Sequence, residues 1–330
     1  MGNAAARGYY RTVAPPDMIA AMAKDVPKLT PNERIAVLSD EWALVRTGRR
    51  DVGTFLDFAS GFTAERTPAV TSTLTGALGT IGEELTSGKT APAYRAWVAQ
   101  LLRPALDEVG WTSAPNEDES RRELRATLVG ALGYTARDQA VIAKAREVVL
   151  SELATPGTVE STLLNAAVPV AALSGDAALY EKYLTRSRAA SDPEEQHRYM
   201  YALAAFSDPA LVRRTMDYIA RPEVRSQDTK IFIGRLLVNQ EAHQLAWDLV
   251  KTRWSDIQKK TGEFVGNTVI VQSLGAFCGS AMSTDVKNFF EVHKVPDAQR
   301  TLQQAVERID ACTTLSAAQS GKLADWLIRR

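Results

Sequence analysis

The sequence predicts an all-α protein made of stacked αα-hairpins, a HEAT- or armadillo-like superhelical array. Three observations predict it. First, a capping residue followed by proline marks one helix start after another, at Thr30-Pro31, Thr67-Pro68, Asp192-Pro193 and Asp208-Pro209. Such pairs supply an N-cap oxygen and then a residue whose missing N–H costs nothing at the first helical position. Second, apolar residues between these marks recur at helical spacing, in short segments joined by tight turns. A repeat of about 40 residues is the period of stacked helical hairpins. Third, strand signals are confined to one stretch near the N-terminus. The length of 330 residues exceeds what one simple core organises and suits two domains or a repeat array.

That stretch is Gly8-Tyr9-Tyr10-Arg11. Adjacent large aromatics suit a pleated face, yet a strand alone leaves its backbone groups unpaired. Residues 1–13 therefore read as the last strand of a β-domain lying outside the chain, and residues 14–330 as the helical domain. On this reading the chain is one piece of a larger protein. The N-terminal helices should then expose an apolar patch where the rest of that protein docks.

The segment Pro16 to Asp25 is a short helix. Thr30, Pro31 and Glu33 form a capping box for the next, in which Ile35, Leu38, Trp42 and Val45 share a face; Gly48 ends it. Arg34 and Asp40 flank that face and suit pairing with other elements. Asp51 to Ser60 is a second helix. Thr67-Pro68 opens a third, whose Gly76, Gly79 and Gly82 let a neighbouring helix approach closely. Thr90 to Val109 follows, with Tyr94, Trp97, Leu101 and Leu102 on its apolar side. Glu119 to Leu132 and Arg137 to Leu153 form a hairpin around Gly133. Thr155-Pro156 opens a helix that contains Pro169. Then come regular starts at Asp176, Asp192 and Asp208, helices over 228–238, 241–257, 268–277, 284–292 and 297–311, and a last one begun by Ser316 with Gln319.

Composition excludes several functions. Hydrophobic residues make up 45% and charged residues 24% of the chain, which suits a packed fold rather than disorder. Lys plus Arg and Asp plus Glu number 39 each, so nothing draws the chain to a phosphate backbone and no nucleic-acid partner is expected. No apolar run approaches the ~20 residues that span a bilayer, so no membrane partner is expected. Cys278 and Cys312 belong to no CxxC pair. They are either two buried thiols or a disulfide, the latter requiring an oxidising compartment such as the periplasm or the exterior. Without it, a soluble cytoplasmic location is the default.

Catalytic chemistry is missing from the pattern. His197, His243 and His293 fall in no metal-ligand spacing, and neither a GxSxG nor a phosphate-binding glycine loop occurs. His197 and Tyr201, one turn apart, suit packing. No catalytic residue, metal site or cofactor is expected in this chain.

Several stretches together resemble the C-terminal helical domain of the aminopeptidase N family, zinc aminopeptidases of the gluzincin type. They are Asn3 with Gly8-Tyr9-Tyr10-Arg11; Leu29-Thr30-Pro31-Asn32-Glu33-Arg34 with Leu38, Asp40 and Leu44; Arg225-Ser226-Gln227-Asp228; Ala246-Trp247, Trp254 and Gly262; and Phe289-Phe290, Arg300-Thr301-Leu302, Gln304-Ala305-Val306-Glu307 and Trp326-Leu327. The order and spacing extend over essentially the whole chain. The resemblance implies a parent enzyme whose zinc and catalytic groups lie in other domains, with this chain closing over the active site and helping to hold peptide. The catalytic and β-sandwich domains of the parent, and the peptide substrate, would be its partners. Arg225 and Gln227 are the candidate peptide contacts; an arginine there could clasp a carboxylate through two hydrogen bonds, or serve only a structural ion pair. A free-standing helical scaffold for a protein partner is the alternative.

Overall fold

All regular structure among the described residues is helical, in a computed structural model that describes residue 8, residues 10–262 and residues 266–330. Two compact units result, Met1–Val170 with Leu315–Arg330, and Ala171–Thr314. Part of the expected strand, including Tyr9, lies outside the described residues; Tyr10 sits in a bend and residues 11–15 have no regular structure.

The first unit holds α1 (Pro16–Lys24), α2 (Pro31–Arg46), α3 (Val52–Ala59), α4 (Pro68–Glu84), α5 (Ala91–Val109), α6 (Glu119–Tyr134), α7 (Gln139–Ala154) and most of α8 (Ser161–Ala172). The capping box forms as its residues require. Thr30 Oγ1 accepts from the Glu33 amide at 3.4 Å, and the Glu33 carboxylate accepts from the Thr30 amide at 3.0 Å. The face α2 buries is shifted from the expected one, to Val37, Leu38, Leu44 and Val45 together with Asp40 and Glu41. Polar groups survive there because each has a partner. Asp40 accepts the amide and hydroxyl of Thr12, both at 2.8 Å. Glu41 pairs with Arg50 at 2.8 Å, and Arg50 also donates to the Ala14 carbonyl at 2.6 Å. The segment entering the helices is thus tied to α2. Arg34, as its flanking position suggested, pairs with the buried Glu65 at 2.5 Å.

Several local expectations fail here, each for a tertiary reason. Thr67 makes no side-chain cap; Glu65 instead accepts its amide at 2.7 Å. Gly76 faces open space, and of the three α4 glycines only Gly82 is tightly approached: a Cβ on it would lie 3.3 Å from a Tyr94 ring carbon. Gly133 lies inside α6 rather than at the turn. A Cβ on it would meet the Val170 methyl groups at 2.6 Å, so its use is close packing against α8. The chain turns at Arg137, with φ of 49°, and Asp138 caps α7 through the amides of Ala140 and Val141 at 3.0 and 3.2 Å. Thr155-Pro156 begins a loop, gathered by Glu152, which accepts the amides of Gly157, Thr158 and Val159 at 2.7, 3.0 and 2.9 Å.

The polar loop before α6 is clasped by Arg125. Its side chain is fully buried and donates to both carboxylate oxygens of Glu117, at 2.6 and 2.7 Å, and to the Gly110 carbonyl at 2.8 Å. Those hydrogen bonds hold the Glu117 carboxyl down to about 2.

The second unit contains α9 (Ala177–Ala189), α10 (Pro193–Ala202), α11 (Pro209–Ile219), α12 (Ser226–Val238), α13 (His243–Thr252), α14 (Trp254–Thr261), α15 (Gly266–Ser273), α16 (Ser280–Val292) and the first half of α17 (Gln299–Ile328). Asp176, Asp192 and Asp208 all cap as expected, accepting amides of Leu179, Glu195 and Leu211 at 2.8, 3.1 and 3.2 Å. The helix expected over 241–257 breaks at Arg253, where ψ of 13° separates α13 from α14. Cys278 and Cys312 are joined in a disulfide, with Cα atoms 5.4 Å apart; it ties the segment before α16 to α17. Within the units helices pack on others one to three places along the chain, such as α5 on α6, α9 on α10, α4 on α6 and α12 on α15.

The last helix corrects another expectation. α17 runs unbroken for 30 residues, so Ser316 and Gln319 start nothing. Ser316 bonds Ser320 at 3.1 Å. Gln319 is fully buried in the first unit. Its amide accepts from Val52 N–H at 3.1 Å and donates to the carbonyls of Val45 and Arg50 at 3.2 and 2.8 Å. It thereby satisfies the Val52 N–H at the start of α3, which its own helix leaves open, and the Arg50 carbonyl, and adds a second bond to the Val45 carbonyl, which also accepts from the Gly48 N–H at 3.0 Å. Farther along, Trp326 is buried, donates to Asp57 at 2.9 Å and stands edge-on to Trp97 with centroids 5.1 Å apart.

Candidate functional site

Of the two candidate peptide contacts, the fold places one in a polar cluster between α10 and α12. The Asp192-Pro193 start sets the phase of α10, so that His197 and Tyr201, four residues apart, lie on one face. Their rings stack, 5.1 Å between centroids and 7° between planes. Arg225 stands immediately before α12, and Asp228 is in its first turn, 3% exposed. A carboxylate there is favoured by the helix N-terminus.

Asp228 organises the cluster. It accepts from Tyr201 Oη at 2.8 Å and from Arg225 Nε at 2.9 Å, and lies 3.5 Å from His197 Nε2. Arg225 Nη2 lies 3.1 Å from the same His197 nitrogen. Arg235 sits over the Tyr201 ring, 4.9 Å from its centroid. Burial, reinforced by the hydrogen bond to Asp228, pushes the Tyr201 hydroxyl up. The hydrogen bond to Asp228 raises Arg225 further. Both therefore stay protonated at neutral pH.

The Nε–Nη2 edge of Arg225 is thus engaged within the protein, while its side chain remains 58% exposed. A ligand carboxylate would have to approach Nη1 and the outward hydrogen of Nη2. Gln227 is exposed on α12 and does not join the ring of bonds. Sequence reasoning missed Asp228 as the hub and read His197 with Tyr201 as packing alone. The four-residue spacing was visible, but the partner from α12 was not. Nor does His243 form a site: it stacks on Phe277 at 4.6 Å, and burial lowers its pKa. Among the described residues no group of three or more His, Cys, Asp or Glu is placed to hold a metal ion. No helix among them is long and apolar enough to cross a membrane.

A second feature lies in the first unit, where the entering segment crosses α1 and α2. Thr12, Val13, Pro15, Met18 and Met22 border an apolar groove of about 350 Å³ floored by Ile19 and Val37. Tyr10, Val13 and Met18 are 57%, 61% and 48% exposed.

Comparison with known proteins gives these features a context. The model of the family described as "ERAP1-like C-terminal domain" matches residues 1–311. Aminopeptidase M1-A of Oryza sativa subsp. japonica is 24% identical over 310 residues, covering 92% of this chain and 35% of the relative. Aminopeptidase M1 of Arabidopsis thaliana is 24% identical over 316 residues, with 92% and 35% covered. Aminopeptidase 2, mitochondrial, of Saccharomyces cerevisiae is 21% identical over 319 residues, with 93% and 33% covered. The chain therefore spans 35% or less of the length of these relatives. By its match across residues 1–311, it belongs to the ERAP1-like C-terminal domain family.

Proposed function

We propose that this chain is the non-catalytic C-terminal domain of a zinc aminopeptidase. It caps the active site and helps to admit and hold peptide while another domain of the same parent cleaves the N-terminal residue. The observation that carries this reading is the family match over residues 1–311, joined to relatives named aminopeptidases of which the chain covers about a third. Zinc and the groups that activate water belong, on this reading, to the remaining part of the parent. The exposed Tyr10, Val13 and Met18 suit docking against its β-sandwich domain, with residues 1–13 as the connecting strand. Arg225 offers a peptide carboxylate its outward guanidinium edge, held in place by Asp228, and Gln227 stands beside it. The disulfide supports an oxidising compartment for the parent.

The test is hydrolysis of an aminoacyl-anilide by the isolated, zinc-loaded chain. No turnover is expected alone, and turnover is expected from the parent that contains it. Hydrolysis by the isolated chain would overturn the proposal. Failure of the parent to cleave any aminoacyl-anilide would favour a helical scaffold for a protein partner instead.

A further inference from the structure

The two halves of the Cys278–Cys312 disulfide meet solvent unequally. Cys312 is 5% exposed, on the face of α17 that also buries Ala305 and Ile309. Cys278 is exposed, in the segment just before α16. Its neighbours in the chain are small. Ala276, Ser280 and Ala281 are themselves exposed, and a Cβ on Gly279 would meet nothing within 4 Å. Gly279 has φ of 112°, a conformation that side chains avoid, which keeps the position beside Cys278 bare. A thiol arriving from solvent therefore reaches one sulfur of the bond and not the other. Disulfides open to solvent are the labile ones, in contrast to shielded structural bridges.

Contacts on both sides of Cys278 hold it in place without help from the bond. Phe277 is buried and stacks on His243, with centroids 4.6 Å apart. The Gly279 N–H donates to Thr313 Oγ1 at 2.9 Å. The residue after Cys278 is thus tied to the residue after Cys312. When the S–S bond opens, the two sulfurs stay neighbours. Cys312 then competes with any thiol in solution from a high effective concentration.

We propose that Cys278 is a reversible S-thiolation site for a low-molecular-weight thiol. The thiolate attacks Cys278 Sγ. A new S–S bond forms as the Cys278–Cys312 bond breaks, and Cys312 leaves with the electron pair and takes a proton from solvent. The disulfide is moved rather than lost, so no oxidant is required. Apolar surroundings make Cys312 a reluctant leaving group, which slows opening. Burial of Cys312 has the larger effect, because it denies the thiol any approach to that sulfur. Closure is the reverse step: Cys312, deprotonated, attacks Cys278 Sγ and expels the thiol. A second equivalent of thiol, attacking the external sulfur instead, leaves as the external disulfide and leaves both cysteines reduced.

The experiment incubates the whole 330-residue chain, with its disulfide formed, with reduced glutathione, and follows opening by mass spectrometry. Opening should proceed in native buffer at a rate within ~10-fold of that in urea, because the attacked sulfur is reached without unfolding. The first adduct should map to the peptide carrying Cys278, and dilution of the thiol should restore the bond. Opening only in urea, an adduct on Cys312, or an adduct that persists on dilution would overturn the proposal. Single variants with oxidised glutathione then separate the two sulfurs. Cys312→Ser, whose Cys278 is a free thiol, should take up one glutathione. Cys278→Ser should do so at least ~10-fold more slowly, since a buried thiol reacts only from locally opened molecules. Equal rates, or faster uptake by Cys278→Ser, would also overturn it.

Discussion

Replacing Gln319 by leucine keeps the volume of the side chain near its own but removes both of its polar functions. Two buried backbone groups are then left without a partner, the Val52 N–H and the Arg50 carbonyl, while the Val45 carbonyl keeps its bond from the Gly48 N–H at 3.0 Å. The side chain is fully buried, so water cannot replace it without opening the core. A buried group left unsatisfied costs about 1–3 kcal/mol. The amide is the more costly of the two, because a carbonyl has a second lone pair and tolerates loss better. We expect Gln319→Leu to destabilise the first unit by about 2–4 kcal/mol, and to lower its midpoint by about 10 °C. Urea unfolding followed by tryptophan fluorescence measures it, since Trp326 and Trp97 pack within that unit. Gln303→Leu is the control: position 303 is exposed on the same helix, and the change there should fall within about 0.5 kcal/mol. A loss below about 1 kcal/mol for Gln319→Leu, at unchanged urea slope, would refute the assignment of Gln319 as the connector of α2, α3 and α17.

Two further outcomes are expected. Cys278→Ser opens a covalent loop of 34 residues, which a chain-entropy account values at about 4 kcal/mol; calorimetry should show the variant matching the reduced wild type, with reductant adding nothing to the variant. Glu117, lowered on folding from 4.5 to about 2 by Arg125, contributes stability that is complete above pH 4.5 and is lost as pH falls toward 2. Glu117→Gln should therefore be less stable than wild type at pH 6 and should show a flatter decline between those values in acid titrations of unfolding; an unchanged decline would place the acid sensitivity elsewhere.

Much of the architecture was legible because its signals are local. At Thr30, Asp176, Asp192 and Asp208 the side-chain oxygen accepts amides two or three residues away, and in three cases the next residue is a proline whose φ is already helical. No distant partner is needed, so the residues alone determine where α2, α9, α10 and α11 begin. The same holds for the balance of charge and for the missing catalytic patterns, and the ordered motifs of the aminopeptidase family run in one dimension too. Long-range pairing is where local reading failed. Thr67 looks like a cap, but Glu65 has already taken its amide. Gly133 looks like a turn, but its absent side chain makes room for Val170. Ser316 and Gln319 look like a helix start because nothing in their neighbourhood reveals Val45, Arg50 and Val52, more than 250 residues away in the chain. The cysteines could be thiols or a bridge until α17 brought Cys312 to Cys278.

The candidate site divides in the same way. Arg225 and Gln227 were found by motif, yet only packing decided that Arg225 answers to Asp228, His197 and Tyr201 while Gln227 stands apart. By itself, the sequence determined an all-helical chain of the aminopeptidase C-terminal type, since capping, periodicity and motif order are properties of neighbouring residues. The tertiary structure alone decided which buried polar groups meet, as Gln319 meets Val52 and Arg50, since those contacts depend on surfaces assembled from residues far apart in the chain.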